Sequence, residues 1–473
     1  MTSDNGALLD AERQLIGDIW TSDEPYQNLV YLCDEIGNRW AGSASEHRAG
    51  EFLQSKLAAY GLANVHLEPV QFGAWERGPA TLELTAPAKR TFSCVALPYC
   101  PAGEVEAELI DVGEGEEEDF ARLGDAVRGK IAISAAETNP VGRPNGKLSH
   151  RTDKLRRAVD AGAVAFVFVN QNPGLLHITG GIGAPGGKPA AIIGIGVSWE
   201  TGSAILRLAK RANEPARLRI TTSGRFFDNT SYNVVGEIPG ATWPDELVLV
   251  GAHYDGHDIS QGALDDGAGT VVCLEAMRVL AALPREQIGR TIRCVLFCGE
   301  EVGLFGSWGY TAAHEDDAAR TRFMLNLDTA GRGKGGSETL VLTGAPDLVS
   351  YFTAHAIAAK YAYPVRHNFN SHSDHFPYAL RGVPTATLSS PDDTSALVGR
   401  GWGHTEADTV DKASLRGLQM AAMLTARVLL QIAGDPAFPG RRRNREEVLG
   451  LVREAGLEEP LRRSGRLALA GGK

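Results

Sequence analysis

At 473 residues the chain is longer than one ordinary hydrophobic core sustains, so two domains with a small appendage are expected. Apolar residues at 43% and charged residues at 22% exclude a disordered or fibrous chain, and a formal net charge of -11 argues against a nucleic-acid partner, which needs an excess of Lys and Arg. No run approaches the roughly 18 consecutive apolar residues of a membrane span, so a membrane is not expected as a partner either.

Along the chain, residues 1–10 carry Asp4 and Asp10 and neither a basic nor an apolar stretch, so no signal peptide is expected. Ala49, Phe52, Leu53, Leu57 and Tyr60 recur at helical spacing before Gly61, and 8–62 reads as helices. Two β-rich runs follow at 65–72 and 80–84. From about residue 101 short strands at 105–112, 130–134, 163–170 and 189–197 alternate with helices at 154–161 and 199–211, which predicts a separate βαβ module over 101–225. A second α/β pattern begins near Ser231, with strands at 246–252, 291–299, 323–327 and 384–388 and helices at 267–283 and 415–432. That alternation predicts a mostly parallel, helix-covered sheet over 226–438. The tail, 439–473, opens on Arg441, Arg442, Arg443 and Arg445 and carries a short apolar stripe at Val448, Leu449 and Val452, which reads as a solvated or surface-docked helix, with a specific anionic partner as the alternative. Cys33, Cys94, Cys100, Cys273, Cys294 and Cys298 lie scattered in apolar contexts without CxxC pairing, so reduced buried thiols and a cytoplasmic location are expected.

Chemistry concentrates where the apolar strands of the last region stop. VLVGAHYDG ends on His253, with Asp255 two residues on; GALDDGAGT places Asp265 and Asp266 before a helix; CVLFCGEEVG ends on Glu300 and Glu301; FMLNLDTAG ends on Asp328; GWGHTEADT supplies His404. Ligands of an open parallel sheet gather beyond the carboxyl ends of its strands, so these groups can converge. Imidazole and carboxylate donors suit zinc, and a site of this composition can hold two ions about 3.5–4 Å apart, bridged by a carboxylate and a hydroxide. One of the paired Glu residues then ligates while the other takes a proton, and Asp255 is placed to accept the second imidazole N–H of His253. Singly, each residue reads as structure: a strand-end His, an Asp-Asp-Gly turn, a solvated Glu pair. Five such signals in order, each at a strand end, do not.

The order HYD, ALDDGAG, FCGEEVGLFGS, LNLDTAG, SDHFPY and GHTEADT resembles the M28 family of co-catalytic zinc peptidases over about residues 230–430. The resemblance implies an α/β zinc-exopeptidase fold to which residues 1–100 contribute the N-terminal part. It implies two Zn2+ ions, with Mn2+ or Co2+ compatible with the same donors. One ion is held by His253, Asp265 and Asp328, the other by Asp265, Glu301 and His404, with Glu300 as general base and Asp255 as the partner of His253. The segment around LIDVGEGEEEDF, VRGKIAIS and KPAAIIGIG is similar to a protease-associated (PA) domain, implying an inserted module over the mouth of the site. Such an insert would shape access without touching the ligands.

Where many members of the family carry Tyr, Gly403 precedes the last His, with Trp402 before it, so the oxyanion partner must come from elsewhere or from zinc itself. His372 and His375 of the HSDHFPY segment, and Arg381 and Arg400 as carboxylate binders, are secondary candidates. The expected reaction is hydrolysis of a terminal peptide bond, most simply by an aminopeptidase acting on a peptide or peptide-like amide. Carboxypeptidase, dipeptidase and non-peptide amide hydrolase activities use the same metals. A single-zinc glutaminyl-cyclase-like enzyme fits less well, because the second ion's donors are present, and a non-catalytic receptor-like homologue would have lost ligands that all remain here.

Overall fold

A computed structural model of the chain describes residues 4–135, 149–358, 362–390 and 401–472. In chain order its strands are β1 (Ala63–Glu76), β2 (Ala80–Ala86), β3 (Arg90–Phe92), β4 (Val95–Ala96), β5 (Gly103–Asp111), β6 (Ile131–Ala135), β7 (Ala165–Val169), β8 (Ile193–Val197), β9 (Arg217–Thr222), β10 (Arg225–Ile238), β11 (Trp243–His253), β12 (Arg290–Phe297), β13 (Thr321–Asn326), β14 (Thr339–Thr343), β15 (Val365–His367) and β16 (Thr385–Ser389). They form two eight-stranded sheets. The first runs β1-β10-β12-β11-β13-β16-β14-β15, and the second runs β3-β2-β9-β5-β6-β7-β8-β4.

The centre of the first sheet follows from its sequence. Residues 247–253 of β11 are buried on both faces, as a parallel strand covered by helices must be. β12, β11, β13 and β16 are mutually parallel, so their carboxyl ends open on the same side. The helices Ala268–Ala281 and Leu415–Gly434 pack on one another and on this sheet. The second of these is long and apolar enough to cross a membrane by length and composition, yet 83% of its most apolar window is buried in the core. The helix Ala44–Ala59 is capped by Ser43, whose hydroxyl accepts from the Glu46 N–H, and buries Ala49, Leu53 and Leu57, as their spacing predicts.

The sheet's flanks are antiparallel. β1 and β10 pair from Ala63↔Glu237 to Glu76↔Arg225 in one long ribbon, and β10 was not legible in the sequence. Its half-exposed run RFFDNTSY lacks the continuous apolar signature of the central strands. The ribbon carries the chain to the second sheet, because β2 and β9 begin and end within four residues of its tip and pair with each other. The second sheet therefore hangs on a two-stranded stem, and its parallel β5-β6-β7-β8 run is the βαβ pattern read in the sequence.

In the tail, helix Arg445–Glu454 buries Val448 and Val452 against Phe376, Leu380 and Leu461. Arg442 donates to the Arg381 carbonyl, and Arg443 pairs with Asp347. All six cysteines are free thiols, with Cys273 Sγ and Cys294 Sγ 3.4 Å apart.

Candidate metal centre

The parallel strands deliver their last residues to one place. His253 closes β11 with 1% of its surface exposed, and its Nε2 is 3.4 Å from Oδ1 of Asp265. The other Asp265 oxygen, Oδ2, is 3.4 Å from Nε2 of His404. Asp265 thus turns one oxygen toward each histidine, as a bridging carboxylate does. Glu301, four residues beyond the end of β12, places Oε2 3.1 Å from the same His404 nitrogen. Donor atoms of His253, Asp266 and Asp328 form a second compact group, all within 4.8 Å of one another. Asp266 also caps the helix behind it, its Oδ1 accepting from the Gly269 N–H at 3.1 Å.

Asp255 does more than face His253. Its Oδ1 lies 3.5 Å from the His253 Nδ1, and the same carboxylate accepts from the backbone N–H groups of Glu300 (3.0 Å) and Glu301 (3.2 Å). One fully buried carboxylate therefore fixes both the β11 histidine and the Glu-Glu turn after β12. Asp408 plays the matching part on the other side, accepting from Leu264 N–H at 2.6 Å and Asp265 N–H at 3.1 Å. Arg332 donates to the Leu264 carbonyl and sits 3.2 Å from Asp265 Oδ1. Neither Asp408 nor Arg332 was singled out in the sequence. Asp408 follows His404 by four residues and Arg332 follows Asp328 by four, and only the fold shows that both turn back toward Asp265.

The module carrying the second sheet reaches this centre directly. The Thr179 carbonyl oxygen lies 3.1 Å from His404 Nδ1, and the Thr179 N–H donates to the His404 carbonyl at 3.0 Å. Gly181 packs so close that a Cβ there would lie 3.2 Å from the Glu301 carbonyl oxygen. His177 pairs with Glu406, and Arg77 holds Asp258 at 2.6 Å while donating to Thr179 Oγ1. The expectation that the insert shapes access without touching the ligands therefore fails at His404. That residue adopts φ 60°, a left-handed conformation uncommon for His, and the paired Thr179 backbone helps to hold it there.

Charge at the centre is unbalanced. Burial drives Asp266 and Glu300 well above the ordinary carboxylate range; His253 pulls both down, while Asp328 and their other acidic neighbours add to the rise. Burial also opposes charge on Asp265 and Glu301, but Arg332, His253 and His404 around Asp265, and His257 and His404 around Glu301, outweigh it and hold both well below that range. Buried Nε2 of His253, Oδ2 of Asp266 and Oε1 of Glu301 have no aligned hydrogen-bond partner. Buried charges and polar atoms left this way are costly unless a cation collects them. The separations also fit. Zn–N bonds of about 2.0–2.1 Å place tetrahedral ligands roughly 3.3 Å apart, and the donor contacts above run from 3.1 to 3.4 Å.

Among the secondary candidates, His375 is buried beside Asn326 and Thr387, and His372 is exposed, its ring 5.4 Å from that of His150. Arg381 donates to the Pro377 carbonyl and lies over the Trp308 ring under the tail, so it is a packing residue. Arg400 lies outside the described residues.

Residues 233–429 match the model of Peptidase family M28, and residues 91–205 match that of the PA domain. Residues 233–429 are therefore identified as a Peptidase family M28 domain. The PA domain is inserted within the M28 domain, on the β1–β10 stem. The chain is 29% identical over 314 residues to carboxypeptidase Q of Bos taurus, covering 64% of each protein, so it spans less than two thirds of that relative's length. The crystal structure of a peptidase M28 precursor from Shewanella amazonensis SB2B superposes with a TM-score of 0.79 at 26% identity, over 93% of this chain and 99% of that one. The structure of BSAP, a zinc aminopeptidase from Bacillus subtilis, gives a TM-score of 0.67 at 25% identity, over 89% and 98%.

Proposed function

We propose that this chain is a two-zinc exopeptidase that releases the N-terminal residue of peptides. The observation that carries the reading is Asp265, which turns one carboxylate oxygen to His253 and the other to His404 between two converging donor groups. His253, Asp265 and Asp328 would hold one ion, and Asp265, Glu301 and His404 the other. Bound there, zinc supplies Lewis acidity toward the scissile carbonyl and lowers the pKa of water. Similarity to a zinc aminopeptidase supports both the metal and the terminal specificity.

The chain's own groups then do the proton work. Glu300 sits next to Glu301, with its backbone fixed by Asp255. Its carboxylate accepts a proton from the attacking water and returns it to the leaving amine. Asp255 and the Thr179 carbonyl orient His253 and His404. Similarity to carboxypeptidase Q supports a second reading, cleavage beside a free carboxylate. Elemental analysis combined with a panel of aminoacyl amides, N-blocked amides and dipeptides tests both. About two zinc per chain and a requirement for a free α-amine are expected. A zinc-free protein indifferent to added metal refutes the metal reading, and cleavage of N-blocked substrates with a free carboxylate refutes the aminopeptidase reading.

A further inference from the structure

His257 belongs to none of the assignments above, yet it stands inside the centre. It lies two residues past Asp255, in the loop that follows β11, with 2% of its surface exposed. Its ring stacks on Trp40 (centroids 5.6 Å apart, planes 25° apart) and meets His404 edge-on at 4.3 Å. Nε2 of His257 is 3.0 Å from Oε2 of Glu301, the same oxygen that stands 3.1 Å from His404 Nε2. Its Nδ1 is buried without a hydrogen-bond partner.

A buried histidine of the ordinary kind donates one ring N–H to a carbonyl or carboxylate and so settles its tautomer. His253 and His404 do this through Asp255 and Thr179. His257 instead turns Nε2 to the Glu301 oxygen that His404 already faces, and its Nδ1 is buried with no partner, which costs about 1–3 kcal/mol. Packing against Trp40 alone would be served better by an apolar ring. What the position offers instead is a nitrogen grouped with Glu301 and His404, with one donor atom from each within 4.8 Å of the others.

We propose that His257 is the fourth protein ligand of the ion held by Asp265, Glu301 and His404. The inference rests on the two-zinc reading and goes beyond it by making the two positions unequal. Two imidazoles and two carboxylates close the His404 position, as in a zinc site that serves structure. The position on the other side, with His253 as its one imidazole, is then the one that keeps a place free for water or substrate. Substrate therefore binds the His253 side, and the His404 side sets the charge and rigidity of the bridge.

The experiment compares wild type, His257→Phe and His257→Gln after chelation and reloading with Co2+, reading metal affinity by chelator competition and geometry from the visible absorption spectrum. The Phe variant keeps an aromatic ring on Trp40. In wild type, one of two Co2+ equivalents should give the intense bands of a four-coordinate ion. In both variants that equivalent should bind more than ~100-fold more weakly, beyond the 10–100-fold expected of an outer partner, and its spectrum should change. If wild type binds fewer than two ions, the two-metal reading itself fails. If wild type binds two and both variants bind two with unchanged spectra, or with a loss of affinity but an unchanged spectrum, His257 is not a ligand. Should neither variant fold, 15N spectra of the histidines in zinc-loaded wild type decide: three metal-shifted imidazoles support the assignment and two overturn it.

Discussion

Asp255→Asn isolates the carboxylate that ties the two halves of the centre together. The substitution keeps size and shape but turns one acceptor into a donor. With its remaining oxygen toward Glu300 N–H and His253 Nδ1, the new amide nitrogen would face the Glu301 N–H, which the native Oδ2 accepts at 3.2 Å. Two buried donors would then oppose each other where a charged hydrogen bond stood. A hydrogen bond to a charged group is worth about 1.5–3 kcal/mol and an unsatisfied buried donor costs about 1–3 kcal/mol, so roughly 3 kcal/mol of stability should be lost in the metal-free protein. Glu301 would shift with its backbone, and zinc affinity should fall by about 10–100-fold. Urea unfolding of the apoprotein and zinc titration against a competing chelator measure the two effects. A variant within 0.5 kcal/mol of wild type in stability and within about twofold in zinc affinity would refute the coupling, since ordinary surface changes fall in that range.

Glu300→Gln should lower kcat by about 10²–10⁴-fold while keeping both zinc equivalents, whereas Glu301→Gln should release one equivalent and recover part of its activity in excess zinc; zinc content and kcat of the two variants check the assignment. Thr179→Pro removes the N–H that the His404 carbonyl accepts at 3.0 Å, so one zinc should bind at least ~10-fold more weakly although the change lies in the PA insert, and chelator competition reads it. Glu46 is buried, with Oε2 accepting from Gly42 N–H at 2.6 Å and Ser231 Oγ at 2.5 Å, and burial together with the Asp255 charge raises its pKa from the ordinary 4.5 to about 8. The sign follows from the raised value: the contribution is complete below pH 4.5 and is lost as pH rises through 8. Apo wild type should lose up to ~5 kcal/mol relative to Glu46→Gln across that window, and parallel unfolding curves at pH 5 and pH 8.5 with no difference would refute it.

The sequence by itself determined the central strands, because β11 and β12 are buried on both faces and must be written as continuous apolar runs. It also picked out most of the residues that converge beyond those strands, because chemistry at the carboxyl ends of parallel strands interrupts those runs abruptly with His, Asp and Glu. The same reasoning reached the βαβ texture of the insert and the docked helix of the tail. The sequence could not reveal β10, whose half-polar alternation resembles a loop, or the stem it makes with β1. Nor could it show His257, Arg332, Asp408 and Thr179 at the centre. A strand-end signal is local, whereas these residues arrive by loop and helix geometry: Thr179 comes from the loop between β7 and β8 of the second sheet, 225 positions before His404. Chain distance carries no information about such contacts. Only tertiary packing decides which carbonyl meets a histidine's second nitrogen, and here it makes the insert part of the site it was expected merely to cover.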